Sequence, residues 1–447
     1  MATDLETPDP QPNGRGSLPV VASATPAANT PTAAETAGSP SLTNTAQGRR
    51  LSEKSLIFVV GAVQFANILD FMMVMPLGPD YSRALGIPAS QIGLIGAVYT
   101  GAAAVAGLAG MWWLERFDRR TALTVSMVGL GVGTLLGAFA TGLNSLILAR
   151  ALAGFWGGPA TSLSMSIIAD VVPAERRGKA MGAVMGAFAA ASVLGVPAGL
   201  ELSRRGGWQM PFQAVAVLVF ALAAAAWWAL PKLRGHLDQG AVKVDPMSLL
   251  RRTKPQMALL ATALLMASSF ILVPNIAAYV QSNLGFPRDD LGGLYLLGGV
   301  ISFFATRVAG RLADRFGISL ISAIGALMVV AVTAVGFLGE QAYISVPLLF
   351  ATLFLAMGMR NVPYNTLMTL VPGPQERATF MSLQSAAQHL AAAAGAYSSS
   401  RILEELPNHR LLGMNKVAAL SIGLTVLALP VLWWLSRNVA RRQPAAT

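Results

Sequence analysis

The sequence predicts an all-α integral membrane protein, with twelve transmembrane helices in two six-helix bundles around a central cavity. Three observations carry this expectation. The 447 residues are 54% hydrophobic and 12% charged, with a mean hydropathy of +0.56, too apolar for a chain that meets water on all sides. Apolar runs of the length needed to cross hydrocarbon follow one another along nearly the whole chain, because a backbone in lipid must satisfy its own polar groups. Signatures placed between runs in the first half recur in the second, as in transporters built from repeats.

The runs fall at 55–77, 90–113, 121–141, 145–171, 178–203 and 211–231, and then at 256–281, 290–310, 318–338, 344–371, 378–401 and 415–436. The domain plan is therefore a tail at 1–54, a bundle at 55–231, a linker at 232–255, a second bundle at 256–436 and a short tail at 437–447. The first tail is rich in Ala, Thr, Pro, Ser and Gly and has too few large apolar residues to offset ordering entropy, so it is expected to be disordered.

Lys and Arg decide orientation. One set of connections holds Arg116, Arg119 and Arg120, then Arg176, Arg177 and Lys179, and then the basic linker with Arg251, Arg252 and Lys254. The opposite set holds far fewer, among them Arg83, Arg204, Arg205 and Arg288. Both termini are expected in the cytoplasm. The net charge of +11 is spread over these short clusters instead of one solvated face, which argues against nucleic acid. With no cysteine and three scattered histidines, no metal site, cofactor or catalytic constellation is expected, so the chain does not read as an enzyme.

After the eighth run the chain reads GRLADRFG, Gly310 to Gly317, and after the second it reads MWWLERFDRR, Met111 to Arg120. Glu115-Arg116-Phe117 thus aligns with Asp314-Arg315-Phe316 at an offset of about 200 residues, and Pro173, Arg177 and Met181 answer Pro372, Arg377 and Met381 at the same offset. GRLADRFG resembles the cytoplasmic loop signature of the major facilitator superfamily; the first copy is degenerate, with Met111 and Asp118 at glycine positions. Arg150 and Gly154 in LILARALAGFWGGPA resemble that superfamily's fourth-helix motif. GVPAG at Gly195 to Gly199 and the opening QFANILDFMMVMPLGP are similar to its twelve-helix drug/proton antiporters, the arabinose-efflux-like permeases.

The resemblance implies a multi-pass monomer of the cell inner membrane whose partners are a small-molecule substrate, protons and the lipid bilayer. It implies export of a drug-like compound, sugar or metabolite by proton-coupled alternating access, with a proton-independent facilitator or importer as the alternative. Helices 1, 4, 7 and 10 would then line the cavity. The acids of the loop signature, Glu115 and Asp314, would pack against a helix start in the opposite half, where the helix dipole favours negative charge. They would gate with Arg116, Arg315, Arg177 and Arg377.

The residues themselves single out Asp70. An ionisable group in the bilayer core persists only beside a partner or an aqueous cavity. Asp70 and Arg150 lie at similar depth on their helices, so a pair is geometrically possible. Arg⁺ favours the carboxylate and dehydration favours the neutral acid, which suits proton coupling; a purely structural ion pair is the competing reading. Gln64 and Asn67 extend this polar stripe. In the second half Asn275, Tyr279, Arg360, Asn361, Asn365 and Gln388 are candidate solute contacts, with Pro363 and His389 nearby. Deleting residues 1–50 is expected to leave membrane insertion and transport at wild-type levels; loss of either in a whole-cell assay contradicts the reading of this tail.

Overall fold

Twelve long helical segments alternate in direction through the computed structural model, which describes residues 53–113, 116–234, 245–339, 343–373 and 376–440. The described residues belong to one compact unit, Arg49–Thr447. The tail expected at 1–54 lies almost wholly outside them, as do residues 235–244 of the linker and the tail from 441.

The first half holds α1 (Glu53–Met73), α2 (Ile92–Trp113), α3 (Arg119–Ala138), α4 (Leu143–Val171), α5 and α6 (Gln209–Ala229). In α5, Ala174–Ala190 passes through a wider π turn, Ala191–Gly195, into Val196–Gly206. Pro197 explains that turn, since its ring excludes the carbonyl four residues back and a wider turn absorbs the clash. The second half holds α7, α8 (Leu291–Phe316), α9 (Ile318–Phe337), α10 (Val346–Leu370), α11 (Arg377–Ile402) and α12 (Met414–Ala440). α7 joins Thr253–Leu272 to Ile276–Ser282 through one 3₁₀ turn at Pro274. By length and hydropathy ten of the segments can cross a membrane; α4 and α11 are as long but carry more polar residues, including Arg150 in one and Gln384, Gln388 and His389 in the other.

One boundary differs from the sequence reading. GRLADRFG is the last two turns of α8 and not a loop, because Arg311-Leu-Ala-Asp-Arg favours helix and the stop comes only at Gly317, whose φ of 95° suits glycine alone. Two short antiparallel strands, β1 (Glu404–Glu405) and β2 (Leu411–Leu412), join α11 to α12.

The repeat is visible as packing. In the first half α1 lies against α5 and α6, α2 against α4, and α3 against α4 and α6; in the second α7 lies against α11 and α12, α8 against α10, and α9 against α10 and α12. Across the halves α2 meets α11 as α8 meets α5, the exchange a pseudo-twofold axis requires. Large apolar side chains point outward, Phe58, Leu148 and Trp228 among them, as lipid permits and water does not.

Close approach sets α2 against α4. A Cβ on Gly154 would collide with the Tyr99 carbonyl, and one on Gly158 would lie 2.6 Å from the Ala103 carbonyl oxygen. Gly154→Val is therefore expected to cost about 1 to 3 kcal/mol of stability through overpacking. A lower melting temperature of the purified variant in detergent checks this, and an unchanged one contradicts it.

Candidate functional site

α1 and α4 bring Asp70 and Arg150 together in the first half. Arg150 Nη1 donates to Asp70 Oδ1 at 3.0 Å and Nη2 donates to Oδ2 at 2.9 Å, a two-point bridge that fixes both planes. Nη2 also reaches the Asp70 carbonyl at 3.3 Å, and Thr134 on α3 donates its hydroxyl to Oδ1 at 2.7 Å. The guanidinium carbon stands 4.5 Å from the centre of the Tyr99 ring on α2. Asp70 is 0% and Arg150 1% exposed, so four helices enclose a neutral ion pair whose carboxylate oxygens are both satisfied. Arg150 Nε is left without a partner.

One helical turn along α1, Asn67 donates to the Gly157 carbonyl at 3.0 Å and to Thr161 at 2.6 Å, which ties α1 to the middle of α4. Gln64 is buried with its Oε1 unpartnered. Phe71, beside Asp70, stacks on Tyr99 at 5.3 Å and meets Phe270 of α7 at 5.8 Å across the two halves.

The second-half candidates divide into two groups. Arg360 on α10 is 1% exposed, donates from Nη2 to Ser269 on α7 at 2.7 Å and from Nε to Asn361 at 3.1 Å, and leaves Nη1 without a partner. One turn on, Tyr364 donates to Thr262 at 2.6 Å and accepts from Gln384 at 3.3 Å, so α7, α10 and α11 converge here. Pro363 is buried inside a continuous α10, Gln388 and His389 are half-buried and Asn365 is exposed. Asn275 and Tyr279 belong elsewhere, toward the other end of α7: Asn275 donates to Ser399 of α11 at 2.9 Å, and Tyr279 packs on Phe337 at 5.5 Å.

Polar links across the halves among the described residues lie at the end opposite the start of α1. Asp80, in the short helix Gly78–Leu85 that follows α1, receives Arg288 Nε at 2.7 Å and Nη2 at 2.5 Å, with the Ser203 hydroxyl at 2.8 Å. Arg288 precedes α8 and also reaches the Leu200 carbonyl at 3.3 Å. Beside this bridge the Ala89 amide donates to Glu405. Sequence reasoning missed Asp80 and Ser203 and counted Arg288 only as a basic loop residue, because nothing local marks a partner 208 positions away. It likewise missed Thr134 and Tyr99, which look like ordinary interior residues.

The expected gating residues are scattered. Glu115 lies outside the described residues, as does the Arg177 side chain; Arg116 and Arg377 are exposed. Asp314 and Arg315 are exposed on the end of α8, with Arg315 over Phe316 at 5.2 Å. Asp118, read only as a departure from the signature, caps α3 by accepting from the amides of Arg120 and Thr121 and pairs with Arg234 at 3.7 Å. An Asp before a helical run is the cap signal that marks it. Arg119 bridges to Asp170 at 3.4 Å, and Arg120 reaches the Trp227 and Leu230 carbonyls, so both tie the start of α3 to neighbouring helix ends.

A family model described as Major Facilitator Superfamily matches residues 60–396. The chain is 28% identical over 352 residues to a chloramphenicol resistance protein of Streptomyces lividans, covering 76% of this chain and 86% of that protein. Among solved structures it resembles a bacterial homolog of the human lysosomal transporter Spinster in an inward-facing, occupied conformation, with TM-score 0.71, 15% identity, and coverage of 90% and 100% of the two chains. A D-xylose-proton symporter gives TM-score 0.70 and 18% identity over 88% of this chain and 99% of that one. With twelve segments, a repeated adjacency pattern and a family match over most of its length, the chain belongs to the major facilitator superfamily, a membrane transporter of small solutes.

Proposed function

We propose that this chain exports a small organic solute from the cell by proton-coupled alternating access, with Asp70 as the proton-carrying group and Arg150 as its counter-charge. The observation that carries this reading is the dry two-point pair itself. A carboxylate in the membrane core beside one guanidinium is a group that a shift of the surrounding helices, admitting water, can hand from its counter-charge to a proton. The likeness to a chloramphenicol resistance protein supports the outward direction and a drug-like cargo.

In this reading the solute is held between the halves, by Gln64 and Asn67 on one side and Arg360, Asn361, Asn365 and Gln388 on the other, with Asn275 and Tyr279 nearer the far end. The chain works as a monomer in the cell inner membrane with both termini in the cytoplasm, as the basic connections favour. The Asp80–Arg288 bridge then closes the outer face, and this conformation is the inward-facing one. Glu115, Arg116, Asp314, Arg315, Arg177 and Arg377 close the inner face in the opposite state. One observation favours a second reading, a facilitator with no obligatory proton: both Asp70 oxygens are already satisfied, as in a pair that only pins α1 to α4.

Flux in proteoliposomes separates the two. Asp70→Asn is expected to abolish accumulation driven by a pH gradient while exchange without a gradient survives. Accumulation at the wild-type rate removes Asp70 from coupling and leaves the facilitator. For the outer seal, a bridge of this exposure is worth about 1 kcal/mol, about fivefold in an opening equilibrium. Asp80→Asn is therefore expected to raise outside labelling of a cysteine introduced at Met72 by about that factor; unchanged labelling denies the bridge a gating role.

A further inference from the structure

We propose that Arg360 is the floor of an anion-binding site, so that the second half recognises a carboxylate or equivalent small anion. The inference rests on the reading of α7, α10 and α11 as solute contacts and adds the chemical class of what they bind. Both halves bury one guanidinium to the same degree, 1% exposed, yet they treat its charge differently. Arg150 has an acid, a hydroxyl bound to that acid and an aromatic face. Arg360 meets only the neutral oxygens of Ser269 and Asn361, and no acid pairs with it among the described residues.

Its hydrogen bonding leaves one donor open. Nη2 and Nε are occupied, while Nη1 is buried and aimed at no acceptor. A guanidinium presents its donors as a planar fork, and the natural complement of an unfilled tine is an oxyanion or halide. The Ser269 hydroxyl accepts from Arg360 and donates to the Leu265 carbonyl at 2.9 Å, so its own bonding is complete and the open donor is Nη1 alone. Ser269 and Asn361 are half-buried, which places the fully buried charge just behind residues with surface access. Tyr364 and Gln384, one turn along, continue the polar wall. A neutral solute leaves the positive charge uncompensated in a dry interior, whereas an anion neutralises it and fills the free donor together. Two sources share that chemistry: a carboxylate on the transported solute, or a free inorganic anion such as chloride.

The test uses the full-length protein in nanodiscs, in a low-salt buffer, titrated with benzoate, with its uncharged analogue benzamide and with chloride, following melting temperature. Benzoate is expected to raise the melting temperature saturably and benzamide not; Arg360→Met is expected to shift the benzoate midpoint about tenfold or more, and Arg360→Lys less. Arg360→Met without anion is expected to melt no lower than wild type, because it removes an uncompensated buried charge, so a folding defect is distinguishable from lost binding. Response to benzoate alone assigns the site to solute carboxylates, and response to chloride alone to an inorganic ion; either sustains the anion site. Equal responses to benzoate and benzamide, or the same benzoate midpoint in folded Arg360→Met, overturn it. No proton gradient enters the assay, so this failure leaves coupling at Asp70 to stand or fall on the flux experiments.

Discussion

Lipid gives helices no hydrophobic reason to leave it for one another, and the organisation of this chain follows from that constraint. Association must come from close packing and from polar bonds that lipid cannot supply. The polar bonds are concentrated within the halves, while close packing runs both within and between them. α2 and α4 approach until the Gly154 and Gly158 positions have no room for a Cβ, and Asp70–Arg150–Thr134, Asn67–Thr161, Ser268–Thr425 and Tyr364–Thr262 stitch helices of one half together.

Between the halves the bonding differs in kind. The α2–α11 and α5–α8 seams rest on small residues and apolar contact, with Gly93 against the Ala396 carbonyl and Gly299 against Ser192 and Val193. The Asp80–Arg288 bridge and the Ala89–Glu405 bond are confined to one end. The Asp80 and Arg288 side chains keep 13% and 19% exposure, so water replaces the protein partner at modest cost when the bridge opens. In the proposed rocking motion these seams slide on small residues while the polar rim at one end opens and closes.

The helices were legible in the sequence because crossing hydrocarbon demands a long apolar run, a signal that needs no tertiary context. The repeat was legible because two signatures share one offset. Asp70 and Arg150 stood out for the same reason as the helices: a charge inside an apolar run is costly enough to need a partner. Distances across the fold were not legible. Asp80 sits three residues from Arg83 and reads as a local helix pair, yet its main partner is Arg288. Thr134 and Tyr99 carry no mark beyond being polar or aromatic in a helix, although they complete the cage around the ion pair. The end of α8 was misplaced because charged residues looked like a loop, whereas Gly317 decides where the helix stops.

The repeat also shows where the halves have parted. Packing neighbours are preserved from α1–α6 to α7–α12, so the scaffold is held in common. Charge is not. The first half closes its buried cation with an acid of its own, so its pair is neutral as a unit. The second half leaves its cation with neutral partners and one donor without an acceptor. In the proposed reading, a symmetric frame with unlike interiors divides labour without any moving part beyond the frame: one half would hold the group whose charge is switched, and the other the charge that selects cargo. Each half would then bias the same rocking equilibrium through differential interaction in its two states, which is the physical requirement for coupling one flux to another.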